Sequence, residues 1–420
     1  MKIKGIKGVK DILPGEIEKW QRVESISRGL FSRYGFQEIR IPIFEYTRLF
    51  KRSIGETTDI VEKEMYTFTD RSGDEITLRP EGTASVVRSF IEHKMYGPGV
   101  LTKLYYIGPM FRYERPQAGR FRQFYQIGVE AMGSASPAVD AEVMTLLIEL
   151  LHNLGLDNVE LQINSLGCSQ CRPDYREKLK TAIRGHLDEL CTNCNQRYER
   201  NPLRVFDCKV ENDISVAREL PKIKDHLCEQ CLGDFAEVQQ LLDSTGTPYS
   251  VNDQMVRGLD YYNRTTFEVI AREGLGSQNA ICGGGRYDTL VEEFEGPPTP
   301  CFGFAVGVER LVAIIPETQW KDLSTPPDLF IVGLGEEAQK ITFKVAHELR
   351  QQGFFVERDF GGGSLKSQMR KANKQAARYS LIIGENEIKT GNYVLKNMDG
   401  GEQVDIPADN LAAHLIPHLK

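Results

Sequence analysis

The sequence predicts an α+β protein: an antiparallel-sheet domain that a helical insertion interrupts, followed by a C-terminal α/β domain. Three observations carry this reading. Aromatic-rich strands follow one another through turn sequences up to residue 131, and hairpins in series make an antiparallel sheet. From about Arg172 to Asp243 the long strands stop, and charged helical stretches surround cysteine pairs. Beyond Pro326-Pro327, strand and helix alternate, the order expected of a parallel or mixed sheet.

Ile17, Trp20, Val23, Ile26, Leu30 and Tyr34 recur at helical spacing after Pro14, and Gly35 stops the helix. Ile39, Ile41 and Ile43 alternate with Arg40 and Pro42, which predicts a strand at an edge or a subunit contact because proline donates nothing to a ladder. Met65 to Thr69 and Glu75 to Leu78 flank a turn at Asp70 to Asp74. Leu104 to Tyr113 and Phe121 to Ala131 read as antiparallel partners joined by a basic loop, and Ser136-Pro137 opens a helix that closes at Gly155. Strands are expected again over Val256 to Ala271 and Ala280 to Ile281, then Gly283-Gly284-Gly285 and a helix from Phe304 to Ile315. The expected domains are residues 1–325, interrupted by 172–245, and 327–420.

The chain has 420 residues, 52 Lys+Arg against 59 Asp+Glu, and a net charge of −7. It is long enough for two or three domains. The charge excludes general nucleic-acid coating but not a local basic patch. No apolar run approaches the roughly 20 residues of a membrane span, and the N-terminus carries no secretory pattern, so a cytoplasmic location and no membrane partner are expected.

Phosphate-loop, Gly-x-Ser-x-Gly and His-Glu-x-x-His motifs are missing, so the common nucleotide-loop, hydrolase and zincin chemistries lack support. Arginines set in apolar stretches remain: Arg79, Arg112, Arg257 and Arg310. Each needs an anion, either a local carboxylate or a substrate phosphate. Glu81, Glu130 and Asp260 suit a cationic or hydrogen-bonding ligand, or else turn to solvent at strand ends.

Phe111 to Arg115 with Gly119 to Phe124 resembles motif 2 of class II aminoacyl-tRNA synthetases, and Phe302 to Leu311 resembles their motif 3. Leu78 to Thr83, Val256 to Tyr262 and Gly284 to Asp288 narrow the resemblance to histidyl-tRNA synthetases. It covers nearly the whole chain, including Gly8 to Pro14 and an Ile41 to Glu45 segment similar to the dimer-forming motif 1.

The resemblance implies a homodimer that uses ATP with Mg2+ to activate L-histidine and then charges tRNA(His). It places Arg112 and Arg257 at the α-phosphate as the catalytic residues, Arg310 toward the γ-phosphate, and Phe124 and Glu114 at adenine. Bidentate guanidinium suits phosphoryl oxygens. For histidine it implies Glu81, Thr83 and Gln126 at the amino group and Glu130 and Tyr262 at the imidazole, with Arg257 and Tyr261 also among the histidine-binding residues. Arg115, Gln117, Arg120 and Arg122 would meet the acceptor end of tRNA, and Lys366, Arg370, Lys374 and Arg378 the anticodon side. The last four recur every four residues in a stretch without an acid; by themselves they also fit a solvated helix face.

Cys191-Thr-Asn-Cys194 and Cys228-Glu-Gln-Cys231 have the pair spacing of a tetrathiolate zinc site, although 33 residues separate them. Cys168-Ser-Gln-Cys171 adds a third pair, with Cys208 between. A structural zinc on Cys191, Cys194, Cys228 and Cys231 is one reading, and buried reduced thiols the other. Two functional alternatives also stand: a synthetase-like regulatory subunit of histidine biosynthesis, and a sensor of uncharged tRNA. A glycine, proline or threonine synthetase is separated only by the Arg257 to Tyr262 and Gly284 to Asp288 segments.

Overall fold

The computed structural model describes residues 3–419 except 56, 57, 59, 117, 118, 274–278, 322, 324 and 410. The chain divides into two units, Met1–Lys321 and Asp322–Lys420, described separately below.

An eight-stranded sheet forms the first unit's centre. Its order is Gln37–Glu38, Thr102–Phe111, Gln123–Met132, Cys301–Gly307, Ala280–Arg286, Asn263–Ala271, Val159–Ser165, Tyr249–Val251. The six inner strands are antiparallel, as expected, and only the two edge pairs are parallel. Helix Pro137–Asn153 buries Val139, Val143, Leu146, Leu147, Leu150 and Leu151. Its N-cap Ser136 accepts from the Ala138 amide at 3.3 Å, which satisfies one of the donors a helix start leaves open. Arg286 on the sheet grips Asp140 of this helix through Nε at 3.0 Å, both side chains being buried.

Several expected elements are corrected. Ile39 to Ile43 forms no strand: Pro42 has no amide to donate, and the carbonyls of Ile41 and Pro42 accept from the Arg79 guanidinium at 2.6 and 3.0 Å instead. The flanking residues split, Gln37–Glu38 joining the large sheet and Phe44–Tyr46 a three-stranded one with Glu75–Leu78 and Tyr66–Thr69. Residues 256–262 are loop, and the strand begins at Asn263. The triple glycine lies inside strand Ala280–Arg286, since glycine in a strand accommodates a close neighbour. Phe304 to Val306 are strand, and the helix is Val308–Ile314.

Between Arg172 and Ser244 the chain forms four α-helices, Arg172–Arg184, Thr192–Arg200, Glu211–Glu219 and Glu229–Ser244, two more than the charged stretches suggest, with three short 3-10 helices between them. They enclose a core of their own that includes Tyr175, Leu179, Ile183, Tyr198, Val205 and Val216.

The second unit carries a five-stranded sheet in the order Val356–Arg358, Leu329–Gly333, Tyr379–Ile383, Asn392–Asn397, Gln403–Pro407. The first three strands are parallel and the last two antiparallel, so the expected mixed sheet forms. Helix Glu336–Gln351 buries Val345, Ala346 and Leu349 in its core.

Candidate active site

A cavity of about 270 Å³ opens over the six antiparallel strands. It gathers Glu81, Thr83, Arg112, Glu114, Arg120, Phe124, Gln126, Arg257, Tyr261, Tyr262 and Arg310 from segments more than 200 residues apart.

One end is cationic and aromatic. Arg112 follows strand Thr102–Phe111, its amide bonded to the Arg122 carbonyl at 2.9 Å, so that the hairpin closes beneath it. Its Nε donates to the Pro80 carbonyl at 2.9 Å, and its guanidinium lies 5.2 Å from the Phe124 ring centroid. That packing orients a cation without an acid. Glu114 pairs with Arg120 at 3.2 Å. Arg310, in the first turn of helix Val308–Ile314, donates to the Ala280 carbonyl. Desolvation and the neighbouring Arg120 and Arg112 lower the pKa of Arg310, making this end a place for anionic charge.

The other end is acidic and phenolic. Glu81 accepts from the Thr83 and Ala84 amides at 2.6 and 3.0 Å, at the first turn of helix Thr83–Glu92. Thr83 donates its hydroxyl to Glu130 at 2.7 Å, and Tyr287 donates to the other Glu130 oxygen at 2.5 Å. Glu130 is therefore enclosed behind the cavity wall, with burial raising its pKa to about 8. Tyr261 and Tyr262 pack at 4.6 Å between ring centroids, and burial raises the Tyr262 phenol to about 12.

Arg257 stands between the two ends. It donates to Glu268 at 2.6 Å and lies 5.5 Å from the Tyr262 ring centroid. Its Nε is buried without a partner among the described residues, as is Oε1 of Gln126. Buried polar groups are normally satisfied, so these two atoms point to what a bound substrate supplies.

Not every expected residue lines the cavity. Arg79 is spent on the backbone, donating to Pro109 as well as to Ile41 and Pro42, so it leaves the group of phosphate-seeking arginines. Arg122 is held over the Tyr113 ring at 4.1 Å, Arg115 is exposed, and Gln117 lies outside the described residues. Sequence reasoning missed Glu268 and Glu309. The signal for Glu268 was a charge inside the apolar run Phe267 to Ile270. Glu309 accepts from the Tyr125 amide at 3.0 Å with both oxygens, and burial raises its pKa to about 7.

In the second unit Lys366, Arg370 and Lys374 lie exposed on helix Leu365–Lys374. Arg378 follows the helix and is engaged by Asp328 at 3.2 Å and by the Leu419 carbonyl at 3.0 Å. The cysteines depart from the expected set. Cys228 and Cys231 meet Cys168 and Cys171, whereas Cys191 and Cys194 meet Cys208 and Asp213. The helices after Arg172 fold back, so helix Glu229–Ser244 starts beside the 167–171 turn rather than beside Cys191.

Residues 8–311 match the family model described as "Histidyl-tRNA synthetase", and residues 328–416 one described as "Anticodon binding domain". A histidine–tRNA ligase of Geobacter metallireducens is 52% identical over 410 residues, covering 98% of each chain. That of Geobacter sulfurreducens is 53% identical over 405 residues, covering 96% of this chain and 97% of the other. The crystal structure of the apo histidyl-tRNA synthetase of S. aureus superposes with a TM-score of 0.83 at 38% identity, covering 98% of this chain and 99% of that one. No helix among the described residues is long and apolar enough to cross a membrane.

Proposed function

The chain belongs to the histidyl-tRNA synthetase family; it activates histidine with ATP and Mg2+ and passes it to tRNA(His), and from that premise we propose how its residues share the work. The observation that carries the assignment is Arg257, half-buried between a cationic end and an acidic end with its buried Nε unpaired.

Phe124 stacks on adenine, Glu114 accepts from its amino group, and Arg112 and Arg310 hold the α- and γ-phosphates. Glu114 and Glu268 pair with Arg120 and Arg257; Mg2+ would come bound to the phosphates of ATP and would offset part of their charge. Glu81, Thr83 and Gln126 receive the histidine ammonium, the Gln126 oxygen gaining the donor it lacks. Tyr261 and Tyr262, backed by Glu130, meet the imidazole. A site with several buried polar groups rejects a side chain that leaves them unpaired.

The histidine carboxylate oxygen attacks the α-phosphorus in line, and the bond to the bridging oxygen breaks, releasing pyrophosphate. Arg112 and Arg257 face the charge that grows on the α-phosphoryl oxygens, where fixed donors in a dry site act most strongly. A 3′-terminal hydroxyl of tRNA then attacks the carbonyl carbon and AMP leaves. Arg115, Gln117, Arg120 and Arg122 guide that end.

Residues 1–325 form the catalytic domain, with residues 172–245 inserted, and 327–420 bind the anticodon side through Lys366, Arg370, Lys374 and Arg378. The chain works as a cytoplasmic homodimer. Exposed Ile43, Phe44, Tyr46 and Phe68 on and beside the small sheet support a second copy there.

Pyrophosphate exchange measured with each of the twenty amino acids tests the assignment. Histidine alone should support exchange, and Arg257→Ala should lose about 100-fold or more in rate. Exchange at the parental rate in that variant would overturn the role of Arg257.

A further inference from the structure

We propose that residues 168–231 bind two zinc ions, one on Cys168, Cys171, Cys228 and Cys231 and the other on Cys191, Cys194, Cys208 and Asp213. In each group, one donor atom from every member lies within 4.8 Å of the others. Four thiolates about 2.3 Å from a tetrahedral zinc stand about 3.8 Å apart. Here Cys168 lies 3.7 Å from Cys171 and 3.8 Å from Cys228, and Cys171 lies 3.9 Å from Cys231, all between Sγ atoms. Such spacing leaves room for one ion at the centre and none for a multi-iron cluster. In the second group Cys191 and Cys208 are 3.9 Å apart, and Asp213 Oδ2 is 3.1 Å from Cys208 Sγ.

A second observation points the same way. Backbone amides aim at the sulfurs: those of Cys168 and Gln170 in the first group, at 3.1 and 3.4 Å, and that of Val210 in the second, at 3.5 Å. Such donors stabilise thiolate rather than thiol. Asp213 is fixed by the Cys191 amide at 3.0 Å and is fully buried. Three or four sulfurs with no coordination position left over are the donor set of a closed structural zinc site.

The two sites are nested. Fifty-six residues separate Cys171 from Cys228, and the whole second site falls within them. Both brace the loop that carries Arg257 and the tyrosine pair. From the first site, Arg172 donates to the Tyr262 carbonyl at 2.9 Å, and the Arg264 amide to Gly167 at 2.8 Å. From the second, the turn just before Cys208 supplies Arg204, which donates to the Gly258 carbonyl at 2.6 Å, and Asn201, which donates to Asp260 at 3.0 Å. The ions thus support the histidine side of the cavity without touching substrate. This bracing role rests on the functional reading above; the binding of metal does not.

Metal analysis of the full chain, purified without chelator, tests binding whatever the enzyme's activity. Two zinc ions per chain are expected, falling to one in Cys231→Ser and one in Cys194→Ser. Should either variant fail to fold, cobalt substitution of the parent chain decides, with visible bands of tetrahedral cobalt saturating at two equivalents. Fewer than two ions per chain, or iron in their place, would overturn the proposal. For the bracing role, Cys194→Ser should raise the KM for histidine several-fold and leave that for ATP within about two-fold. An unchanged histidine KM would overturn it.

Discussion

The backbone of Gly283 lies flat against the guanidinium of Arg257, so closely that a methyl group at residue 283 would overlap its Cζ and both terminal nitrogens. The strand that the glycines form is therefore a shelf on which the arginine rests. Gly283→Ala should push the guanidinium away from Glu268 and lower kcat for pyrophosphate exchange at least 10-fold. The fold should survive, because the displaced group is the end of a flexible side chain. Steady-state exchange and a thermal melt check this; a parental kcat would show that the arginine does not need its shelf.

Arg79 and Arg112 each follow a strand, Glu75–Leu78 and Thr102–Phe111, and should fail in opposite ways. Arg79 serves three carbonyls in the interior, and leaving buried acceptors unpaired costs about 1–3 kcal/mol each at most. Arg79→Ala should lower Tm by several degrees. Arg112→Ala should keep the parental Tm and lose exchange by about 100-fold. Calorimetry beside exchange kinetics separates the two, and equal losses of stability would contradict the division.

Glu130 makes stability depend on pH. Burial raises its carboxyl from 4.5 to about 8, against the opposing pull of the Tyr287 and Thr83 hydroxyls. The folded chain thus favours the protonated form. That contribution is complete below about 4.5, declines as pH rises, and is gone above about 8. Glu130→Gln stays neutral throughout, so its Tm relative to the parent should rise between pH 5 and 8 and then level off. Melts across that range test it, and a difference independent of pH would refute it.

Lys366, Arg370 and Lys374 are exposed, with no ion-pair partner among the described residues. Replacing all three by alanine should raise the KM for tRNA in aminoacylation about 10-fold or more and flatten its salt dependence. Exchange, which needs no tRNA, should be unaffected. Arg378→Ala should do less to tRNA affinity and more to stability, because Asp328 and the Leu419 carbonyl already hold that side chain.

The hairpin between Leu104 and Ala131 was legible because a period of two puts Phe124 and Gln126 on one face, and Arg112 at the strand's end. The triple glycine misled for a physical reason: glycine reads as loop, yet here it lets neighbouring groups approach a strand. Glu130 was expected to meet the imidazole directly, but its two hydroxyl partners lie far away in sequence and enclose it. The cysteine sets were hidden for the same reason. Pair spacing identifies ligands to a metal, but only the return path of the helices decides which pairs meet.

Strand Gln123–Met132 takes its second neighbour from Cys301–Gly307, with 168 residues between Met132 and Cys301. During synthesis at about 5–20 residues per second, the nascent sheet therefore waits roughly 8–34 s with an open edge. The four helices between Arg172 and Ser244, with a core of their own, leave the ribosome during that delay. Vectorial synthesis thus delivers a folded insertion before the central sheet can close, and the interval when edge strand and nascent chain are both exposed is when this protein is most open to aggregation and to chaperones.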